Sequence, residues 1–199
     1  MLRERLRYLK YFVLGNPAKI PAGTAQLLSA YPGAKISDTA VFEEYFSFDI
    51  PSVDFSMTLE EKVHFKRYCH LLLFEKSILT IGKNVFFNNY CSINCLEKIE
   101  IGENTMFGEG VKIYDHNHLH ETTDRLIVFK DRFKTAPVII GSNCWIGSNV
   151  TILKGVAIGN NVIVGANNLI YRSIPSNTIV KSNGDYTVSA AEVKPGEQW

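Results

Sequence analysis

The chain has 199 residues, with 21 basic and 20 acidic side chains that leave a formal net charge of +1 at neutral pH. That balance gives no basis for binding nucleic acid or an acidic polymer. No apolar run approaches the roughly eighteen residues needed to span a bilayer, and the length suits one domain with at most a small appendage.

The first 77 residues carry helical rather than repetitive patterns. Residues 2–13 place apolar side chains on one helical face and basic side chains on the other. This predicts a basic amphipathic helix that docks on the protein itself or on a neighbouring subunit, with contact to a membrane surface as the alternative. Gly15, Asn16 and Pro17 then end this helix.

A second helix is predicted from Thr58 to about Leu73. Thr58 and Glu61 have the spacing of a capping box, and Val63 and Leu71 lie on the side expected to be buried. We therefore expect residues 1–77 to form an N-terminal cap region, partly helical and partly irregular. Residues 36–41 have the shape of one isolated copy of the repeat that follows.

An apolar residue recurs at every sixth position in two blocks that begin at Ile81, and glycine often follows it. Seven of the twelve following positions are glycine, against about one expected from ordinary usage near 7%. Most positions four residues after an apolar one hold a slim residue such as Val or Cys. The twelve apolar residues are Ile81, Phe87, Ile93, Ile101, Phe107, Ile113, Ile140, Ile146, Ile152, Ile158, Val164 and Ile170.

A period of six fits neither a helix, with a period near 3.6, nor a long strand, with a period of 2. It fits short extended stretches joined by turns, three of which make one coil of about eighteen residues. The apolar and slim residues then point into a narrow prism, and backbone hydrogen bonds join successive coils as in a parallel sheet. Residues 78–180 are therefore predicted to form an all-β solenoid, a parallel β-helix.

The repeat is interrupted once and ends before the C-terminus. Residues 119–137 break the period, so we expect them to leave the prism as an excursion loop, and loops of that length usually have a function. Residues 181–199 also lack the period and are predicted to be a C-terminal tail that is at most partly ordered.

The four cysteines are expected to be reduced thiols in a cytoplasmic protein. Cys91 and Cys144 occupy slim inward positions, where a thiol acts as a small hydrophobe. Cys91 and Cys95 have CxxxC spacing without a second pair, which argues against a structural zinc site. No bound metal is therefore expected.

The stretches IGENTMFGEGVKI (101–113) and IGSNCWIGSNVTILKGVAIGNNVIVGANNLI (140–170) resemble the hexapeptide-repeat acyltransferases. Within that family the chain is similar to galactoside and maltose acetyltransferases and to capsular-sugar O-acetyltransferases. The resemblance implies a left-handed β-helix, a homotrimer and acetyl-CoA as co-substrate. It also implies an acceptor that is a sugar, a nucleotide-sugar or a surface-polysaccharide unit.

The resemblance assigns the catalytic base to a histidine at the end of the last strand before the excursion. That position corresponds to His116, with His118 as the alternative. Imidazole changes its charge near neutral pH, which suits a general base that takes a proton from a sugar hydroxyl. Asp115, Glu109 or a backbone carbonyl could hold the other ring nitrogen, and the sequence does not choose among them.

The remaining site residues follow from the same resemblance. Asn88 matches an asparagine that contacts the sugar, Asn94 lies one hexad further, and Asp115 joins them as a substrate-binding candidate. Leu96 falls where the family has an acidic contact, so the acceptor is expected to differ from the simplest sugars. The altered turn after Val180 leaves the adenine contacts open. The cofactor-binding candidates are Trp145, Gly147, Ser148, Gly165, Ala166, Tyr171, Arg172 and Lys181.

Two other functional classes stay open beside an acetyltransferase. One is a metalloenzyme like the γ-type carbonic anhydrases, in which strands of two subunits supply three histidines to zinc. His116, His118 and His120 lie too close in sequence for that arrangement. The other is a non-catalytic scaffold, which would gain no stability from acetyl-CoA. The sequence also leaves open whether oxygen or nitrogen is acylated, and with which acyl group.

Overall fold

The structure is a computed structural model that describes residues 11–12, 30–181 and 188–190. In these residues the chain winds as a three-sided parallel β-helix. In chain order the strands are β1 (Tyr11–Phe12), β2 (Ala34–Ile36), β3 (Val41–Phe42), β4 (Ser47–Asp49), β5 (Ser56–Leu59), β6 (His64–Phe65), β7 (His70–Leu73), β8 (Ile78–Ile81), β9 (Phe86–Phe87), β10 (Ser92–Cys95), β11 (Lys98–Ile101), β12 (Met106–Phe107), β13 (Lys112–Tyr114), β14 (His116–Thr122), β15 (Leu126–Thr135), β16 (Val138–Ile140), β17 (Trp145–Ile146), β18 (Thr151–Ile152), β19 (Ala157–Ile158), β20 (Ile163–Val164), β21 (Leu169–Ile170), β22 (Thr178–Val180) and β23 (Val188–Ala190).

Three sheets form the faces of the prism. Face A contains β1, β4, β7, β10, β13, β18 and β21; face B contains β2, β5, β8, β11, β16 and β19; face C contains β3, β6, β9, β12, β17, β20, β22 and β23. The chain runs from face B to face C to face A and then begins the next coil, so the neighbours within a face are parallel. At the two ends β1 and β23 instead add antiparallel strands. These end strands cover backbone edges that would otherwise be open to pairing with another chain.

The core is the predicted stack of hexad residues. All twelve are at most 2% exposed. Phenylalanines continue the stack toward the N-terminus: the rings of Phe42, Phe65, Phe87 and Phe107 lie parallel, with successive centroids 5.4, 4.5 and 4.6 Å apart. Burying each such ring contributes roughly 1.5–3 kcal/mol relative to leaving it exposed.

The turns between faces explain why the sequence favours Asn and Gly there. On the edge between faces B and C, every turn after the first has one residue with a positive φ, as in Asn84 at 55° and Asn143 at 57°. Asn tolerates this left-handed conformation better than most residues. Gly147 is required for a different reason, because a Cβ there would lie 2.6 Å from the backbone N of Ala166 in the next coil.

The helix predicted from Thr58 to Leu73 is wrong. These residues instead lie in β5, β6 and β7 and complete a coil of the β-helix, and coils are already present from β2 onward. Leu59, Phe65 and Leu71 keep the six-residue spacing and are buried. The repeat was hidden because no glycine follows these residues, and because Lys62 and Tyr68 take the positive-φ positions that Asn or Gly fills later. The helix predicted within residues 2–13 falls largely outside the described residues, and its described part, residues 11–12, is strand β1.

The excursion predicted at residues 119–137 is present but is not an irregular loop. β14 and β15 pair antiparallel to form a β-hairpin, with a register shift between His118 and His120. β16 then resumes face B beside β11. The break in the period showed where the excursion begins. It did not show the hairpin, because the two strands of the excursion pair with each other and not with the coils. Part of the expected tail is also a strand, β23, which pairs with β22.

Candidate functional site

The base of the hairpin holds a buried carboxylate. Asp115 links β13 to β14 and is fully buried. Its oxygens accept hydrogen bonds from the backbone N–H groups of Leu96, Glu97 and Lys98, at distances of 2.7–3.0 Å. Those three residues lie one coil earlier, where the chain turns from face A to face B. Three donors facing two oxygens suit the ionised carboxylate, which only accepts hydrogen bonds.

His116 follows directly and is oriented by that carboxylate. Its Nδ1 lies 3.3 Å from Asp115 Oδ1, and the imidazole side chain is 14% exposed. Phe133 stands edge-on to the ring with centroids 5.4 Å apart, and Tyr114 stands edge-on at 6.0 Å. With Nδ1–H donating to the carboxylate, Nε2 carries the lone pair. The sequence left open three hydrogen-bond acceptors for this ring nitrogen. In the structure Asp115 is the one that contacts it.

His118 has a different environment. It lies on the hairpin, is exposed, and its Nδ1 is 2.9 Å from the backbone oxygen of Phe129. His120 is also exposed, on the far side of the register shift. Contact with a carboxylate therefore distinguishes His116 from His118 and His120.

The acceptor-side candidates lie on two different parts of the prism. Asn94 is on face A beside Tyr114, and its Oδ1 accepts a hydrogen bond from Ser92 Oγ at 3.2 Å. Asn88 is in the turn from face C to face A, where its Oδ1 accepts from the backbone N–H of Asn89 at 2.8 Å. The structure thus places Asn94 beside Tyr114, the residue before Asp115, but it does not place Asn88 there.

Most donor-side candidates line a single edge of the prism. We call the turns that join face C to face A the C–A edge. Gly147 and Ser148 lie in one of its turns, Gly165 and Ala166 in the next, and Lys181 follows β22 at its end. Trp145 is on face C beside this edge and is 52% exposed.

Tyr171 and Arg172 lie elsewhere, in the turn that leaves face A after β21. The Arg172 guanidinium is 5.4 Å from the centre of the Tyr171 ring. His116 lies on the same edge of the prism, between faces A and B, which is opposite face C. One chain therefore does not bring His116 together with Trp145, Ser148 and Ala166.

Two side chains at the site carried no signal in the sequence. Phe133 is a hairpin residue without a place in the hexad pattern, and it contacts His116, His118 and Phe74. Tyr114 is partly buried beside the histidine, and this burial raises the pKa of its phenol. Both rings stand edge-on to the imidazole of His116.

Among residues 11–12, 30–181 and 188–190, no three His, Cys, Asp or Glu side chains converge as a metal site. The described part of the chain also has no helix with the length and apolar character to cross a membrane. Cys69, Cys91, Cys95 and Cys144 are buried free thiols.

The fold is a three-sided parallel β-helix, and its sequence repeat has a period of six residues. Residues 137–172 match the family described as bacterial transferase hexapeptide (six repeats). The chain is 35% identical over 113 residues to WbbJ of Escherichia coli (strain K12), named as a lipopolysaccharide biosynthesis O-acetyl transferase. That match covers 54% of this chain and 58% of WbbJ, so the chain spans little more than half the length of that relative.

Two solved structures share the fold over most of the chain. The polySia specific acetyltransferase NeuO has a TM-score of 0.65 at 16% identity, covering 82% of this chain and 68% of NeuO. A mutant of AntD, an N-acyltransferase from Bacillus cereus in complex with dTDP and coenzyme A, has a TM-score of 0.63 at 16% identity, covering 85% of this chain and 89% of AntD. The solved structures confirm the β-helix fold, and the family match together with WbbJ confirms the resemblance to hexapeptide-repeat acyltransferases.

Proposed function

We propose that this protein is an acetyl-CoA-dependent acetyltransferase that acts on a sugar, a nucleotide-sugar or a surface-polysaccharide unit, with His116 as the general base. The observation that carries the proposal is the buried Asp115 carboxylate, which accepts three backbone N–H groups and lies 3.3 Å from His116 Nδ1. A carboxylate in this position fixes the ring orientation and stabilises the imidazolium that forms during proton transfer.

The reaction follows from the lone pair on His116 Nε2. This nitrogen takes the proton of the acceptor hydroxyl while the hydroxyl oxygen attacks the carbonyl carbon of the thioester. The tetrahedral intermediate collapses by breaking its C–S bond. The proton on His116 then passes to the departing thiolate, which leaves as free coenzyme A and returns the imidazole to its neutral form. Because both substrates bind together, no covalent enzyme intermediate is required.

Two chains are proposed to form each site. The donor-side candidates Trp145, Ser148 and Ala166 lie along face C and the C–A edge, whereas His116 lies on the opposite edge of the same chain. A homotrimer that sets the A–B edge of one chain against the later coils of its neighbour's C–A edge, where Ser148 and Ala166 lie, unites them and leaves the earlier coils of that edge uncovered. This arrangement gives three sites for each trimer.

The relatives support the proposed substrates. AntD was crystallised with coenzyme A and a nucleotide, and WbbJ is named for lipopolysaccharide biosynthesis. AntD is an N-acyltransferase, so an amine acceptor is the second possibility for the same base. An amine is the better nucleophile once neutral, and His116 then removes its proton after attack.

The decisive experiment is a thiol-release assay with acetyl-CoA against a panel of sugars, amino sugars and sugar nucleotides. We expect His116→Ala to lower kcat by roughly 10²–10⁴-fold, with a smaller effect for the matched control His118→Ala. Acetyl-CoA should also raise the melting temperature of both variants, because ligand binding stabilises the folded state by mass action. Undiminished turnover in His116→Ala contradicts the assignment, and stoichiometric zinc in the purified protein contradicts the class.

A further inference from the structure

Three tyrosines form an exposed ladder on the N-terminal part of the C–A edge. The parallel rings of Tyr45, Tyr68 and Tyr90 stack with centroids 4.7 and 5.0 Å apart, at interplanar angles of 2° and 6°. They are 36%, 45% and 53% exposed, so none belongs to the core. Each occupies the third position of a turn between faces C and A, one coil apart from the next. We call these three residues the tyrosine ladder.

The backbone at these positions does not favour tyrosine. Tyr45, Tyr68 and Tyr90 have φ values of 62°, 60° and 63°. A left-handed conformation disfavours a bulky side chain and favours Gly or Asn. The same column continues in the later coils with Gly110, Asn149 and Asn167, which are the residues expected there. Three consecutive tyrosines therefore occupy exposed positions that the later coils give to Gly or Asn.

The upper end of the ladder is shaped like a binding site. Tyr68 covers one face of the Tyr90 ring, and the next residue in the column is Gly110, which has no side chain. Lys112 reaches this turn, with its ammonium donating to the backbone oxygen of Gly110 at 3.1 Å. The position that a Cβ of Gly110 would take lies 2.5 Å from Asn149 Oδ1. The turn that follows Tyr90 in the column thus carries an ammonium and an amide beside Gly110.

A second unusual feature marks the same turn. Asn89 precedes Tyr90, and its Oδ1 is a buried side-chain acceptor without a hydrogen-bond partner within the described residues. Buried polar atoms in folded proteins are nearly always paired. An acceptor without a partner in the described part of the chain therefore lies in the residue next to Tyr90.

We propose that the tyrosine ladder, with Lys112 and Asn149 at its upper end, binds the glycan chain that carries the acetylated sugar. The C–H bonds on one side of a pyranose pack well against the negative face of an aromatic ring. Hydroxyls of the sugar suit the row of phenol groups, the Lys112 ammonium and the Asn149 amide. The acceptor is then an oligosaccharide or polysaccharide rather than a single sugar.

The position of the ladder along the prism supports this choice of ligand. The ladder occupies the C–A edge in the first three coils, and the donor candidates Ser148 and Ala166 occupy the same edge in later coils. The coil between them contains Gly110 and leads to His116, which in the proposed trimer faces this edge from the neighbouring chain. A glycan on the ladder and a thioester on the later coils would therefore meet at one level. This inference rests on the proposed function for the position of the donor.

The test replaces the tyrosines with asparagine, which the left-handed backbone accepts, so the variants are expected to fold. The matched control is Lys62→Asn, which makes the same kind of change at φ 58° on a different edge. The probes are oligosaccharides released from the O antigen of Escherichia coli lipopolysaccharide and from bacterial capsules, each paired with its constituent monosaccharides. Binding is measured by saturation-transfer NMR with irradiation of the aromatic protons.

We expect saturation to pass from the rings to at least one oligosaccharide. Tyr90→Asn should weaken its binding about threefold to tenfold, and the triple variant should weaken it further. Thermal stabilisation by acetyl-CoA and turnover of monosaccharides should stay at the wild-type level in every variant. If acetyl-CoA does not raise the melting temperature of the wild-type protein, the result contradicts the proposed function and not the ladder proposal.

Three results overturn the ladder proposal. The first is the absence of saturation transfer from wild-type protein to every glycan in the panel. The second is unchanged oligosaccharide binding in the triple variant. The third is a change in molar mass by light scattering in the triple variant, which would show that the ladder is an interface between copies of this chain.

Discussion

Asp115 and His116 are neighbours in sequence that meet through their side chains, with 3.3 Å between Oδ1 and Nδ1. The contact forms because the carboxylate is turned inward onto the backbone N–H groups of Leu96, Glu97 and Lys98. The hairpin thus begins from a point that the preceding coil fixes. Orientation of the His116 ring and closure of the coil depend on the same carboxylate.

Asp115→Asn is expected to impair both catalysis and stability. The amide keeps the size of the carboxylate but turns an N–H₂ group toward backbone donors and can no longer stabilise an imidazolium. We expect kcat to fall by roughly 10²-fold or more, and the free energy of unfolding to fall by about 1–3 kcal/mol. Thiol-release kinetics and urea denaturation measure the two effects. The control is Asp124→Asn at the exposed tip of the hairpin, which should leave both unchanged. Wild-type turnover in Asp115→Asn would remove the role given to the carboxylate.

Phe133→Ala is expected to lower turnover while leaving the coil fold intact. The ring stands edge-on to His116 and also contacts Phe74, so its loss admits water to the imidazole and loosens the hairpin. We expect a drop in kcat of about tenfold, because small displacements of a catalytic group are costly. The comparison variant is Leu126→Ala, whose side chain is 65% exposed at the far end of the hairpin. Equal kinetics for the two variants would show that Phe133 is not part of the site.

Gly147→Ala is expected to destabilise the fold through a steric clash. The added Cβ would lie 2.6 Å from the N of Ala166 and 2.8 Å from the O of Val164, and both contacts are with backbone. We expect a loss of about 1–3 kcal/mol in urea denaturation, the usual cost of overpacking. Gly155→Asn is the control, because its φ of 77° suits Asn and its nearest Cβ contact is 3.5 Å. A stable Gly147→Ala protein would mean that adjacent coils can separate locally.

The stability of the protein is expected to depend on Cys95 at alkaline pH. Burial first, and the Asp115 carboxylate next, raise the pKa of the Cys95 thiol above its ordinary value of 9.0. Above about pH 9 the unfolded chain loses this proton while the folded state keeps it, so the contribution to stability is present below that pH and is lost as pH rises. The free energy of unfolding, measured by urea denaturation from about pH 8 to 10.5, should fall less steeply with pH for Cys95→Ala than for wild type. Val111→Ala makes a cavity at a similar inward position without removing a thiol, and it should keep the wild-type slope.

How much of the fold was predictable depended on how plainly each coil shows its repeat. From Ile81 to Ile170 the hexads and their glycines predicted a parallel β-helix, which the structure confirms. Leu59, Phe65 and Leu71 have the same spacing, yet the segment was predicted to be a helix. Its turns carry Lys62 and Tyr68 where later coils carry Asn or Gly, and a local capping pattern at Thr58 and Glu61 pointed the other way. Pairing with neighbouring coils outweighed that local preference.

The candidate site shows the same division between local and distant information. The end of β13 marks His116 by position, and the break in the period marks the excursion. The partner of the histidine was undecided among Asp115, Glu109 and a backbone carbonyl, because the choice depends on which way Asp115 turns. That direction is set by backbone N–H groups seventeen to nineteen residues earlier.

The sequence alone determined the cross-section of this protein, because a six-residue period with slim residues four positions later can bury its apolar side chains only in a narrow three-sided coil. The tertiary structure alone decided what that coil brings together. The stacking of coils placed Asp115 against an earlier turn, Phe133 against His116, and three distant tyrosines on one edge. Such contacts depend on the register between coils, and register is a property of the assembled backbone that no single hexad specifies.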